Sequence, residues 1–427
     1  MLKGRVLTPL VTLLAGLLCL AASACKKPDA SGSEGATGSA SSPGSPGAGP
    51  KIRIGVLTDM SSLYADLAGK GSLIAAQMAV EDFGGKAAGR PVEVISSDHQ
   101  NKADIGSNIA RQWLDVEKVD VVVDVPNSSV ALAVNEIVKG KNKVFLASGP
   151  ATTDLTGKSC TPNTIHWTYD TWELANGTGK EAVKAGNDTW FFITADYAFG
   201  HSLERDVTGV VLSAGGKVVG GVRHPLNAPD FSSFLLQAQQ SKAKIVGLAN
   251  AGGDTINTIK QAAEFGIVKG GQKLAGLLIN ISDIHALGLE AAQGLLLTDA
   301  FYWDDDTETR AFSKRFGERH KDRMPSQIQA GVYSAVLHYL KAVDALKGAE
   351  DGAAVVAKMK ELPTDDPIFG KGAIRADGRK IHAVGLYQVK APSESKGPWD
   401  YYTRLREIPA EEAFRPLAES ECPLVKK

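Results

Sequence analysis

The chain has 427 residues, with 47 Lys and Arg against 48 Asp and Glu and a formal net charge of −1. That length suggests two or three domains, and 43% hydrophobic residues are ample for buried cores. A balanced charge offers no basic excess to neutralise a phosphate backbone, which argues against nucleic acid as a partner. No apolar run of about 20 residues follows Leu20, so the body does not read as a membrane-spanning helix.

Lys3 and Arg5 precede the apolar run Leu10 to Leu20, and Ala22-Ser23-Ala24 lead into Cys25. This order reads as a secretory leader over residues 1–24. It resembles a bacterial lipoprotein signal, in which the cysteine after the cleavage site receives the lipid and anchors the protein to a membrane. Ala22 departs from that pattern, which prefers Leu there. Ordinary cleavage at the same place is the alternative and leaves a free periplasmic protein. Residues 25–50 are dominated by Gly, Ser, Ala and Pro without apolar periodicity. They read as a disordered tether with a root-mean-square reach of roughly 28 Å. Two cysteines remain in the body, Cys160 and Cys422. In an oxidising compartment a lone pair this far apart favours one disulfide; two buried thiols are the alternative.

From Ile52 the pattern alternates between strand and helix. Strands are expected at Ile52 to Leu57, Pro91 to Ile95, Val119 to Val125 and Lys143 to Ala147. Helices are expected at Gly69 to Phe83, Ile105 to Val116 and Ser129 to Val138. Continuous rather than alternating apolar strands argue for a parallel sheet covered on both faces. After a loop over 148–168 the pattern restarts, with strands at Thr189 to Thr194, Lys217 to Val222, Ile245 to Ala249 and Leu274 to Ile279. Helices fall near 172–185, 200–213, 231–241 and 254–265. Further helices are expected at Arg310 to Arg319 and Pro325 to Leu346, then strands at Ile368 to Ile374 and Ile381 to Lys390 joined through Asp377-Gly378. The fold class is α/β, with two doubly wound lobes.

The sequence is poor in catalytic signatures. It holds no G-x-G-x-x-G after a strand, no G-x-S-x-G, no H-E-x-x-H and no C-x-x-C. Eight histidines are scattered without ligand spacing, and Asp304-Asp305-Asp306 lacks the glycine and distal Glu of a calcium loop. No cofactor, metal or enzymatic activity is expected.

Several ordered blocks are more specific. Ile54-Gly55-Val56-Leu57-Thr58-Asp59-Met60-Ser61, followed by Tyr64 and Gly69 to Glu81, resembles the opening of type I solute-binding proteins of ABC importers. The resemblance is to the leucine/isoleucine/valine-binding family and its aromatic-acid-binding branch. Val125-Pro126-Asn127-Ser128-Ser129 and Ala147 to Thr156 are similar to that family's main ligand segment. His166 to Asp170, Asp196 to Gly200, Phe301-Tyr302-Trp303 and Gly372 to Val389 follow in the family's order. The likeness runs through nearly all of 51–406.

It implies two lobes linked by three crossovers, with a ligand cleft that shuts by hinge motion. Lobe one is expected over 51–169 plus 303–365 and lobe two over 170–302 plus 366–406. The tail 407–427 would run back to lobe one if Cys422 pairs with Cys160. Asn127, Ser128 and Ser129, at a strand-to-helix junction, are implied to hold a ligand carboxylate with hydroxyl and backbone donors. Ser148, Ala151 and Thr152 match the segment that binds the same group. Tyr64 and Tyr197 match aromatic walls of opposite lobes. Asp254 and Asp283 are the candidates for a ligand ammonium, and Tyr169, Trp172 and Trp303 are candidates for stacking on a ring. The expected role is a monomeric importer component that binds a small carboxylate, an amino acid or an aromatic or organic acid, and presents it to a membrane permease. The alternatives are a periplasmic sensor of the same fold and, more remotely, a hydrolase.

Overall fold

A computed structural model describes residues 50–426. The expected leader, Cys25 and all but the last residue of the tether lie outside the described residues. The first half builds β1 (Ile52–Thr58), α1 (Gly69–Asp82), β2 (Lys86–Ala87), β3 (Arg90–Asp98), α2 (Ala103–Asp115), β4 (Val121–Asp124), α3 (Ser128–Gly140), β5 (Val144–Ala147) and β6 (Thr164–His166). These strands form one sheet in the order β2-β3-β1-β4-β5-β6, parallel except for the short β2. In β4, Val121 and Val123 face a core shared with α1, while Val122 faces a second core with Trp113 and Val134. Both faces are therefore covered, which is why this strand is apolar at every position before its terminal acid.

The second half supplies α4 (Thr171–Leu174), α5 (Lys180–Lys184), β7 (Thr189–Ala195), α6 (Ala198–Ser213), β8 (Lys217–His224), α7 (Ser232–Ser241), β9 (Ile245–Ala249), α8 (Gly253–Glu264), β10 (Lys273–Gly276), α9 (Ile281–Leu287), α10 (Leu289–Ala292) and β11 (Leu296–Asp299). A parallel sheet runs β10-β9-β7-β8. Trp190 and Phe192 of β7 point to one core, Phe191 and Ile193 to another. The helix expected at 172–185 runs without a gap over 171–184, widened to a π-helical turn over Ala175–Gly179. Gly177 lets this turn approach β11 closely: a Cβ there would lie 2.2 Å from Thr298 Oγ1.

After residue 300 come α11 (Thr307–Arg319), α12 (Gln327–Leu346) and α13 (Gly352–Glu361). Ser326 opens α12 with a capping box, its hydroxyl accepting from Gln329 N–H and the Gln329 side chain accepting from Ser326 N–H. The α12 residues Tyr333, Val336, Tyr339 and Leu340 return to the first core. Asp306 caps α11, Asp304 pairs with Arg310, and Asp305 accepts from Tyr387 OH, so the acidic triplet is structural.

The chain then forms β12 (Thr364–Asp366), β13 (Gly370–Ile374) and β14 (Lys380–Ile381), a small antiparallel sheet with the expected turn at Asp377-Gly378. The strand expected over 381–390 is divided. Its first residue stays in this small sheet, and β15 (Val384–Val389) pairs with β11 and with β16 (Tyr402–Ile408). His382 marks the break, wedged against Phe369 and Phe414. Ile368, Phe369 and Ile374 pack into the first core, so the segment around 366–374, expected with the second lobe, sits with the first sheet. The last α-helix is α14 (Ala410–Ala413), followed by a 3-10 turn over Leu417–Glu419. No helix among the described residues is long and apolar enough to cross a membrane.

Candidate functional site

The carboxyl ends of β1, β4 and β5 approach those of β7, β9 and β10, the place where open α/β sheets bind ligands. Asp59, just past β1, fixes the following loop by accepting from the N–H groups of Ser62 (3.0 Å) and Tyr64 (2.8 Å) and from Asn101 Nδ2 (2.6 Å). That loop delivers Tyr64, whose hydroxyl lies 2.5 Å from the hydroxyl of Tyr197 at the start of α6. The phenol pair joins the two sheets across their mouth, and burial pushes both hydroxyls well above the ordinary tyrosine range.

Beside this pair lies a small, nearly closed space between the two sheets. Tyr64, Leu67, Pro126, Gly149 and Ala151 wall it on the side of the first sheet; Tyr197, Phe199, Ala251 and Leu278 wall it on the other. Tyr169, on the passage between them, closes the floor. The Tyr169 hydroxyl donates to Gly149 O at 2.7 Å. Its backbone is held by Arg379, a fully buried guanidinium that donates to Tyr169 O (2.8 Å) and Trp167 O (3.0 Å). No charged side chain lines this space.

Of the residues expected from sequence, Tyr64, Ala151, Tyr169 and Tyr197 line the space. Asn127, Ser128, Ser148 and Thr152 are buried beside its lining residues. Asn127, rather than either serine, caps α3: its Oδ1 accepts from Ser129 N–H (3.0 Å) and Val130 N–H (3.1 Å). Those two donors are thus already occupied. Ser128 Oγ accepts from Thr152 N–H at 3.4 Å, Thr152 Oγ1 accepts from Asp154 N–H at 3.3 Å, and Ser129 is half-buried. Asn127 Nδ2, Ser148 Oγ and Thr194 Oγ1 are buried and have no protein partner. They are uncharged polar groups near these strand ends that no protein group satisfies; the Asn280 side chain beyond β10 is another.

The two candidate ammonium partners do not line the space. Asp254 accepts from the N–H groups of Asn227 and Ala228, each at 3.1 Å, and Asp283 accepts from Asn280 N–H at 2.9 Å. Burial pushes Asp254 up to about 6 and Asp283 to about 7. Trp303 Nε1 donates to Trp399 O, and Trp172 lies under Arg415; neither ring reaches the space. Sequence reading did not single out Leu67, Phe199 or Leu278. The available signal was position, since Leu278 lies just beyond the carboxyl end of β10.

Asp124 was also unexpected. It ends β4 fully buried, its carboxyl oxygens have no partner at hydrogen-bonding geometry, and burial raises it to about 7 against the pull of the Thr58 and Ser72 hydroxyls. Both Asp124 (φ 80°) and Val125 (φ 58°) are left-handed, a conformation costly for a β-branched residue. A Cβ on Gly149 would fall 2.5 Å from Asp124 Oδ1. Glycine at 149 therefore lets the wall of the space close over a buried acid.

Cys160 and Cys422 form the expected disulfide, with Cα atoms 5.6 Å apart. Among the described residues no group of His, Cys, Asp and Glu is arranged to hold a metal ion.

Comparison with known proteins gives a consistent result. A family model described as periplasmic binding protein matches residues 51–398. The Leu/Ile/Val-binding protein homolog 6 of Brucella melitensis is 26% identical over 340 residues, 78% of this chain and 85% of its own length. Among solved structures, a periplasmic binding protein from Burkholderia mallei is 53% identical, with a TM-score of 0.86 over 88% of this chain and 99% of its own. A branched chain amino acid ABC transporter periplasmic ligand-binding protein from Burkholderia xenovorans is 41% identical, with a TM-score of 0.78 over 87% of this chain and 99% of its own.

Proposed function

The chain belongs to the periplasmic binding protein family, and on that premise we propose that it is the substrate-receiving component of an ABC importer that captures a small carboxylate. It is a binding protein and not an enzyme. The observation that carries the reading is the space between the two sheets, walled by Tyr64 from one side and Tyr197 from the other, with neutral buried donors at its edge. A carboxylate is held there by Asn127 Nδ2, Ser148 Oγ and the Ser128 N–H, without a cationic side chain. Hydrogen bonds to a charged group contribute about 1.5–3 kcal/mol each when the donors are already in place.

The rest of the wall is apolar or phenolic, and the nearby acids Asp254 and Asp283 are committed to backbone N–H groups. An ammonium therefore finds no ion-pair partner, which favours an aromatic or aliphatic acid without an amine. The designation of the Burkholderia xenovorans relative supports an amino acid as the second reading. The first sheet with α1 and α12 forms one lobe, the sheet around β7 the other, and the ligand draws them together because only the closed form offers both walls. A lipid on Cys25 would tether a monomer in the periplasm within reach of its permease.

The test is a thermal-shift screen followed by calorimetry with 4-hydroxybenzoate, benzoate and L-leucine, each beside its methyl ester. The reading expects the free acid to bind and its ester to lose about 1.5–3 kcal/mol. Equal binding of acid and ester would reject the carboxylate assignment.

A further inference from the structure

The C-terminal tail crosses the passage between the sheets and is fixed on both sides. It leaves β16, which pairs with β15, and its first contacts are with the second half of the chain. Arg406 pairs with Glu181 at 3.1 Å, and Asn176 Nδ2 donates to Glu412 O. At the passage Phe414 is buried under the Arg379 guanidinium, 4.4 Å from ring centre to Cζ, and Arg375 donates to Arg415 O at 2.6 Å. Arg415 reaches Asp206 of α6 at 3.1 Å and covers the ring of Trp172. Beyond Arg415 the tail turns to the other side: Ser420 Oγ contacts Thr156 O, and Cys422 is covalently bound to Cys160. Thr156 and Cys160 belong to the segment that follows the cleft residues Ala151 and Thr152.

We propose that residues 409–422 form a disulfide-fixed strap that limits how far the cleft opens. The inference rests on the two-lobed closing reading above. Ala413 and Phe414 seat the start of the strap in a small apolar cluster with Val384, Leu386 and Ile408, whereas beyond them it passes over a polar hollow lined by Asp170, Arg375 and Ser420, and Leu417 is 36% exposed. Beyond Phe414 it is therefore a span held at points rather than a further layer of the fold.

Chain length alone imposes no limit, since the 14 residues from Ile408 to Cys422 could extend to about 48 Å. The intermediate anchors shorten the free span. Between Arg415 and Cys422 only seven residues remain, about 24 Å fully extended. Opening that would stretch this span beyond its extended length must unseat Phe414 from Arg379 or Arg415 from Asp206. The disulfide keeps the detached tail close to its seats and raises their effective concentration.

The same face carries direct ties between the two sides. Thr153 Oγ1 donates to Asp206 Oδ2 at 2.9 Å, and Arg205 pairs with Asp154 at 3.4 Å. Asp206 thus receives both Thr153 and the strap's Arg415, so the strap reinforces a contact that opening must break.

The experiment needs no ligand. Small-angle scattering and amide hydrogen exchange would be recorded on the purified chain and on the Cys160→Ser/Cys422→Ser double variant. Phe414→Ala and Arg415→Gln, both with the disulfide intact, and the wild type under a phosphine reductant complete the set. The expected result is a larger radius of gyration in the double variant and the reduced protein, with intermediate values for the two anchor variants. Exchange over 153–160 should rise about ten-fold together with exchange over 409–422. An unchanged radius with faster exchange confined to 409–422 would overturn the proposal, because the tail would then detach without freeing the cleft. No change in either would overturn it equally. If the carboxylate reading fails, these ligand-free outcomes stand unaffected.

Discussion

Replacing Asp124 by Asn isolates one proton. The native carboxyl is fully buried, has no partner at hydrogen-bonding geometry and is moved by burial from 3.8 to about 7. Between about pH 4 and pH 7 the folded chain therefore holds a proton that the unfolded chain has released. Stability contributed by this group is fully present below pH 4, falls as pH rises, and levels off above pH 7. Three pH units at about 1.4 kcal/mol each give an upper value of about 4 kcal/mol. Asn keeps the shape, tolerates the left-handed backbone (φ 80°) and cannot ionise.

Urea unfolding of both proteins at pH 4.5, 6, 7 and 8 gives the difference directly. Groups common to both, such as Asp283 (about 7) and His99 (about 4), cancel in the comparison. Tyr169, the titratable tyrosine whose hydroxyl is bonded to the Gly149 carbonyl, stays neutral throughout because burial pushes it well above its ordinary range. The variant should gain on the wild type steadily as pH rises, by up to about 3 kcal/mol at pH 8 relative to pH 4.5, since at pH 4.5 part of the effect is already lost. A difference that does not change with pH would refute the reasoning, for it would mean that the folded carboxyl is ionised at acid pH.

Three further perturbations probe the cleft. Tyr197→Phe removes the hydroxyl bonded to Tyr64 and should weaken ligand binding by about 1–2 kcal/mol in calorimetry, with little change in midpoint temperature. Asn127→Asp preserves the α3 cap but replaces the free Nδ2 donor with an acidic oxygen, so carboxylate affinity should drop at least ten-fold while urea stability stays within about 0.5 kcal/mol. Gly149→Ala forces a Cβ to 2.5 Å from Asp124 Oδ1 and 2.8 Å from Pro126 Cα, and should cost about 1–3 kcal/mol of stability by denaturant titration.

The fold is legible where burial is two-sided. β4, β5 and β9 read as nearly unbroken apolar runs, and β1 and β7 as runs interrupted only by Arg53 or bounded by threonines, because helices cover both faces of their sheets. β6 (Thr164–His166) and β16 (Tyr402–Ile408) escaped sequence reading for a physical reason. The first is three residues long and bounded by Asn163 and Trp167; the second alternates charged side chains on an antiparallel edge. The division of the strand expected over 381–390 depended on His382 wedging between Phe369 and Phe414. Those two residues come from separate segments and carry no local signal.

The site divides along the same line. Tyr64 and Tyr197 were legible as a pair because each stands at a fixed place after a strand, inside blocks whose order is recognisable. The acids were not. Asp254 and Asp283 have the right charge for an ammonium, but their direction is decided elsewhere. Asp254 turns to the backbone of Asn227 and Ala228, a loop that precedes it by more than twenty residues, and Asp283 turns to its own helix cap. Asp124, at the end of a valine run, reads from sequence as a polar strand terminus. Only the fold brings Gly149 over it and removes its solvent. Once backbone donors and solvent exclusion are counted, the three acids nearest the cleft are satisfied or neutral at pH 6, and the space between the tyrosines is left to uncharged donors. A ligand that is itself an anion meets no opposing negative charge there, whereas a cation meets nothing to hold it. On the proposed reading, the selectivity of the cleft would follow from where its acids are committed rather than from how many it has.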